Sequence, residues 1–303
     1  MENKIAILGE CMIELWNDKD CYRQGFAGDT LNTAIYLSRL LGTSAQVSYL
    51  TGIGKDDLSQ AMLTYWHQEN IDTSSVFTVP NKQPGLYMIK TDEHGERRFL
   101  YWRNDAAARY WLANLSIEEI VTILSAYRYL YLSGISLAIL PHQDREKLLT
   151  AIEQSTVKVI FDNNYRPALW ESEEVTRTVY QKILSLANIA FLTFEDDQAL
   201  FGFNDYQQSI AQAVALGVEE VVVKRGKEPC IVVTKNESCE VAAVKVEKVV
   251  DTTAAGDSFS AGYLAKRLSG GTIVEAAQAG HQLASTVIQY KGAIIPTTAM
   301  PKI

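Results

Sequence analysis

The sequence has no run of about 18 consecutive apolar residues, so a membrane-spanning helix is not expected. Cysteine is scarce: Cys11, Cys21, Cys230 and Cys239 are the only four, and none sits in a C-x-x-C pair. That spacing argues against a zinc ribbon or a redox dithiol. The first residues, Met1–Glu14, lack the charged, then apolar, then small order of a signal peptide. Scattered thiols without such a signal predict a reduced, cytoplasmic protein. Positive charge is in deficit, with 28 Lys+Arg against 36 Asp+Glu and a formal net charge of −8. Nucleic acid and membrane surfaces want basic patches and are excluded as expected partners. A small anionic ligand needs only a few local cations and is not excluded. Two nucleotide fingerprints are also missing. Gly9-Glu10-Cys11 stands where a G-x-G-x-x-G would follow the first strand, which argues against a dinucleotide-dependent oxidoreductase. No G-x-x-x-x-G-K-[ST] loop occurs anywhere.

What is present is an ordinary globular composition over 303 residues, 47% hydrophobic and 21% charged. Compact apolar runs at Lys4–Leu8, Val47–Leu50, Tyr129–Leu132, Val157–Asp162, Ile189–Leu192 and Val221–Lys224 read as strands. Between them, helical spacing marks Thr30–Leu41, Leu58–Glu69, Asp144–Ser155, Val175–Leu186 and Tyr206–Leu216. Near-continuous apolar strands alternating with helices predict a doubly wound, mostly parallel sheet between two helical layers, α/β/α. Ligands in such sheets bind beyond the carboxyl ends of the strands. Two segments break the rhythm. Glu14–Phe26 is polar and aromatic, and Pro84–Arg103 alternates about a turn at Asp92–Gly95, as a β-hairpin does. Together they predict a small β-sheet lid from about residues 11–27 and 84–104. No repeat, low-complexity tract or Pro/Gly-rich linker divides the chain, so residues 1–303 are expected to form a single domain.

The most informative stretch is Asp251–Leu264, DTTAAGDSFSAGYL, which follows the apolar, strand-like run Ala242–Val250 and opens a helix through Ser258–Leu268. Ala254, Ala255 and Gly256 let a ligand approach the backbone closely, and their N–H groups would stand at a helix N-terminus that favours an anion. Asp257 in the same turn could take a proton from a hydroxyl while the amides hold a transferring phosphoryl group. The spacing alone allows Asp257 to be a helix N-cap equally well.

These residues carry a resemblance. Asp251-Thr252-Thr253-Ala254-Ala255-Gly256-Asp257 with Ala261-Gly262-Tyr263-Leu264 resembles the C-terminal signature of the ribokinase-like (phosphofructokinase-B type) sugar kinases. Ala27-Gly28-Asp29-Thr30-Leu31-Asn32-Thr33-Ala34 is similar to that family's Gly-rich turn into the first helix, and Gly52 with Gly54-Lys55-Asp56 to its G-x-G-x-D element. The resemblance runs over essentially the whole chain. It implies a ribokinase-like fold, ATP and Mg2+ as cofactors, Asp257 as the base, and Ala254, Ala255 and Gly256 as the anion hole. It also implies a homo-oligomer, dimeric or higher.

Within the family, the lid bears on the sugar. Strand alternation places Phe99, Tyr101 and Arg103 on one face and Leu100 and Trp102 on the other. Tyr and Arg pointing inward suit a carboxylate-bearing ligand, which Arg can grip through two parallel hydrogen bonds. A second polar cluster, Asp162-Asn163-Asn164-Tyr165-Arg166-Pro167, closes a predicted strand. With Tyr101–Ala108 and Leu132–Leu137, these stretches resemble members acting on a 2-keto-3-deoxy sugar acid. The resemblance implies that Gly28, Asp29, Asn32, Tyr87, Tyr101, Arg103 and Arg166 bind the sugar acid. Asn164 would lie between sugar and nucleotide, and Lys224, Arg225, Gly226 and Gly256 would face ATP. A kinase of a neutral sugar such as fructose, and a non-catalytic sugar-acid sensor, are the alternative readings. His281 could touch the adenine pocket or simply pack. Where many relatives carry N-x-x-E, this chain has Thr193-Phe194-Glu195-Asp196, so Asp196 is the candidate to meet magnesium through water. Glu195 and Asp196 could equally serve the helix dipole. A monovalent cation near Asp251 and Thr253, as in some relatives, is not expected.

Overall fold

The computed structural model describes residues 3–18, 21–91 and 97–303. Its strands are β1 Lys4–Leu8, β2 Met12–Asp18, β3 Cys21–Ala27, β4 Gln46–Ile53, β5 Val76–Thr78, β6 Gly85–Thr91, β7 Arg97–Trp102, β8 Tyr129–Ser133, β9 Lys158–Asp162, β10 Ala187–Thr193, β11 Glu220–Lys224, β12 Cys230–Thr234 and β13 Ser238–Val241. Nine of them form one sheet in the order β13-β12-β11-β10-β9-β8-β1-β4-β5. From β11 through β5 every neighbour pair is parallel, and β12 and β13 add an antiparallel edge. The strand order reverses direction at β1, where the chain crosses from one half of the sheet to the other.

Alternation along the central strands divides the core in two. Leu8, Leu130, Leu132, Phe161, Leu192 and Val223 pack in one apolar cluster. Ile5, Ile7, Tyr131, Ile160, Phe191 and Val222 pack in the other, against the helices Asp29–Leu41 and Ala255–Leu268. Both faces are covered, which is why these strands read as continuous apolar runs.

The remaining four strands form a second sheet, β3-β2-β6-β7, from two separate stretches of chain. β6 and β7 are antiparallel, with Tyr87 opposite Tyr101 and Leu86 opposite Trp102. The turn expected at Asp92–Gly95 lies outside the described residues. One expectation fails. Ala242–Val250 is not a strand: β13 ends at Val241, and Val244, Val249 and Val250 are exposed. Their valines suggest β structure, but no neighbouring strand is left to pair with beyond the edge β13. Short helices at Ile117–Ser125 and Phe194–Phe201 were not legible from periodicity; the first is held by a Ser116/Glu119 capping box.

Candidate active site

The carboxyl ends of β1, β9, β10 and β11 open into one cavity of about 750 Å³, lined among others by Glu10, Asp162, Thr193 and Lys224. The helix Asp29–Leu41 and the turn Thr252–Asp257 close one side, and Tyr87, Phe99, Tyr101 and Arg103 from the small sheet close another. A larger cleft, about 940 Å³, lies at the opposite ends of the strands. Its buried carboxylate, Glu220, is met by Arg267 and by the Tyr263 hydroxyl, so its charge is already answered.

The turn before the helix Ala255–Leu268 is locked from both sides. Asp251 Oδ1 accepts from the Thr253 backbone N–H at 3.0 Å and from its hydroxyl at 2.7 Å, while Oδ2 accepts from Gly292 N–H at 2.8 Å. Ala254 takes the left-handed conformation at φ 61° and stands at the N-cap position. Ala255 N–H donates back to Thr252 O at 3.2 Å, whereas the next N–H groups of the first turn have no acceptor within the helix and carry the positive end of its dipole. A side chain added at Gly256 would meet only Lys224 Nζ, at 3.5 Å, so the space over this backbone belongs to the cavity.

Asp257 sits in that first turn but is not the cap. Its Oδ2 accepts from Asn32 Nδ2 at 2.8 Å, a bond to the other helix of this face. Burial, and then the Asp29 and Asp162 carboxylates, push its carboxyl well above the usual carboxylate range, against the Asn32 hydrogen bond and the Lys224 charge. A carboxylate with raised proton affinity beside an anion-binding turn is suited to take a hydroxyl proton.

Neighbouring groups are tied into this centre. Lys224 Nζ donates to both Asp162 oxygens, at 3.0 and 2.8 Å, and Tyr131 and Ser260 hydroxyls donate to Asp162 Oδ2. Asn164 Nδ2 donates to Asp29 Oδ2 at 2.7 Å from a backbone at φ 28°. Asn163 fixes that strained position: its Oδ1 accepts from the N–H groups of Asn164 and Thr193, and its Nδ2 donates to Thr193 O and to Asp197. Burial pushes Asp197 up to about 6.

At the other end, Gly28 allows close packing. A Cβ there would stand 2.2 Å from the Glu10 carbonyl oxygen. Arg103 is buried, not an exposed edge arginine, and its Nη2 donates to Glu10 Oε2. The Tyr87 hydroxyl donates to Glu14, and its ring packs against Phe99 and Tyr101. Arg166 is half-exposed and lies 3.6 Å from Asp196. Of the residues singled out from sequence, Gly28, Asp29, Asn32, Tyr87, Tyr101, Arg103, Asn164, Arg166, Lys224 and Ala254–Asp257 share this cavity. Arg225 and Gly226 do not line it: Arg225 lies over the Tyr206 ring, 4.5 Å from its centre, and Gly226 forms the β11–β12 turn at φ 59°. His281 is packing: it is buried, edge-on to Phe259 and 3.0 Å from Val241 O. Glu10 was missed, because a lone strand-end carboxylate carries no spacing signal; Asn163 was seen as part of the Asp162–Pro167 cluster, but its anchoring role was not.

The helix Phe194–Phe201 resolves the acidic triplet. Glu195 is exposed, Asp197 is buried beneath, and Asp196 faces the cavity, with Oδ2 accepting from Tyr165 N–H at 3.1 Å. Among the described residues, no group of three or more His, Cys, Asp or Glu could hold a metal alone.

A helix N-terminus, a buried carboxylate and a lysine meeting in one cavity at strand ends are parts that phosphotransferases use. Residues 2–300 match the pfkB family carbohydrate kinases, and the chain belongs to that family. It is 54% identical to the 2-dehydro-3-deoxygluconokinase of Escherichia coli K12, covering 99% of this chain and 100% of that protein. The 2-dehydro-3-deoxygluconokinase of Haemophilus influenzae is 42% identical, with 98% and 97% covered. Among solved structures, the fold is shared with the ATP-bound fructokinase of Xylella fastidiosa, at TM-score 0.83 and 22% identity over 99% of this chain and 96% of that one. Among the described residues no helix is long and apolar enough to cross a membrane.

Proposed function

We propose that this protein is a 2-dehydro-3-deoxygluconokinase. It transfers the γ-phosphoryl group of ATP to the terminal 6-hydroxyl of 2-keto-3-deoxy-D-gluconate, giving the 6-phosphate. The observation that carries this reading is the full-length identity to enzymes of that name, supported by a cavity that gathers two arginines, two tyrosines and a basic carboxylate.

The chain's own groups divide the work. Arg103 and Arg166 take the sugar carboxylate, and Tyr87 and Tyr101 orient the keto and hydroxyl groups. Asp257 accepts the proton of the primary hydroxyl as its oxygen attacks the γ-phosphorus in line. The first-turn amides at Ala254–Gly256 and Lys224 hold the phosphoryl oxygens. Magnesium, bound with ATP, supplies charge neutralisation. The small sheet acts as a lid that excludes water, the competing acceptor. The cytoplasm is the proposed compartment.

The test is ADP release with ATP and magnesium on 2-keto-3-deoxygluconate, fructose and ribose. Turnover confined to the sugar acid is the expected result. Preference for a neutral sugar would leave Arg103 and Arg166 without a carboxylate to bind and overturn the substrate.

A further inference from the structure

Arg103 reaches the cavity from the end of β7, on the small sheet, whereas Glu10 follows β1, an inner strand of the large one. Their ion pair is the buried polar bridge between the two sheets on this side of the cavity. Glu10 is 2% exposed and Arg103 9%. The pair is not closed: Glu10 Oε1 and Arg103 Nε are both buried without a hydrogen-bond partner. Gly85 makes room for it, since a Cβ there would stand 2.6 Å from Glu10 Oε1 and 3.2 Å from Arg103 Cβ. A carboxylate that uses one oxygen on a guanidinium leaves the rest of that planar fork free for a second acceptor. Glu10 lines the cavity, but its Oε1 is buried beside Gly85 and its Oε2 is taken by Arg103, so neither oxygen is offered to a ligand.

We infer that Glu10 is a positioning residue. It fixes the Arg103 guanidinium across the joint between the sheets, so that the remaining N–H groups face the sugar acid. This rests on the reading of the cavity as a sugar-acid site. Arg103 hangs on a long side chain from the smaller sheet, and unpaired it would hold many rotamers. Held by Glu10 it meets its ligand with that freedom already lost, which lowers KM without touching the chemical step.

The experiment is a double-mutant cycle on KM and kcat, with E10D, which keeps the charge but withdraws it, E10Q, which keeps the reach, and R103A. Both Glu10 variants retain a side chain of near-native size, and a thermal melt checks that each is folded. E10D is expected to raise KM for 2-keto-3-deoxygluconate by about tenfold, with kcat within about threefold of wild type. E10Q is expected to do less, because its amide oxygen still accepts from Nη2. Neither change should raise KM further in R103A. An E10D enzyme with wild-type KM, or increments that multiply with R103A, would overturn the inference. The wild type separates the two possible failures: no turnover on the sugar acid overturns the substrate, whereas turnover with an unchanged E10D KM overturns the pair.

Discussion

The two sheets are built from similar residues and used differently. In the large sheet, Ile5, Phe161, Phe191 and Val222 are wholly buried, and both faces are covered by helices. In the small sheet, Phe99, Tyr101 and Trp102 are 40%, 53% and 57% exposed. The large sheet therefore fixes one wall of the cavity through its core, with Asp162, Thr193 and Lys224 at strand ends whose positions cost much to disturb. The small sheet offers aromatic rings and one arginine that its own packing does not consume. Ile13, Leu15, Phe26 and Leu86 pack it onto the core of the large sheet, and the Glu10–Arg103 pair adds a buried polar tie.

That contrast can be broken or sharpened in four steps, from the largest effect downward. Asp257→Asn on the large-sheet side should lower kcat by about 10²–10⁴-fold with little change in sugar binding; single-turnover kinetics with near wild-type rates would remove Asp257 as the base. Phe161→Ala, which deletes a wholly buried ring packed edge-on to Tyr180, should destabilise by about 3–5 kcal/mol in chemical denaturation. Trp102→Ala on the small sheet should stay within about 0.5 kcal/mol in the same measurement. Equal losses would show that the small sheet is a second core.

Arg103→Ala and Arg166→Ala should both raise KM for the sugar acid, by about ten- to a hundredfold if each gives a charged hydrogen bond. Only Arg103→Ala should also lower the melting temperature, because it strands buried Glu10, whereas the Arg166–Asp196 contact is longer and half-exposed. Identical melting curves would erase that distinction.

The last comparison concerns pH. Burial and then Asp29 raise the Asp257 carboxyl above its unfolded value of 3.8, so above that pH the folded chain holds more of the proton than the unfolded chain does. Stability from this group is full below 3.8 and falls as pH rises through the window between the two pKa values. Asp257→Asn should therefore melt higher than wild type at neutral pH, with the gap closing in acid. A gap independent of pH would mean that the raised proton affinity is absent.

The central strands and most helices could be read directly, because burial on both faces leaves continuous apolar runs and burial on one face leaves helical spacing. Asp257 could be read only as one of two things. A left-handed Ala254 took the cap position and Asn32, far away in sequence, took the carboxylate, which no local pattern states. Ala242–Val250 misled for the opposite reason: valine favours strands, but a strand needs a neighbour. Arg225 stands out by its charge, and the structure places its guanidinium over the Tyr206 ring.

By itself, then, the sequence determined the alternating architecture, the small-residue turn into the helix Ala255–Leu268 and the family, because periodicity and short motifs are local. Only the tertiary structure decided which polar groups meet: Asn32 with Asp257, Asn164 with Asp29, Lys224 with Asp162, Glu10 with Arg103. Each pair joins elements distant along the chain, and whether a buried charge is a tool or a strut depends on its partner rather than on its neighbours in sequence.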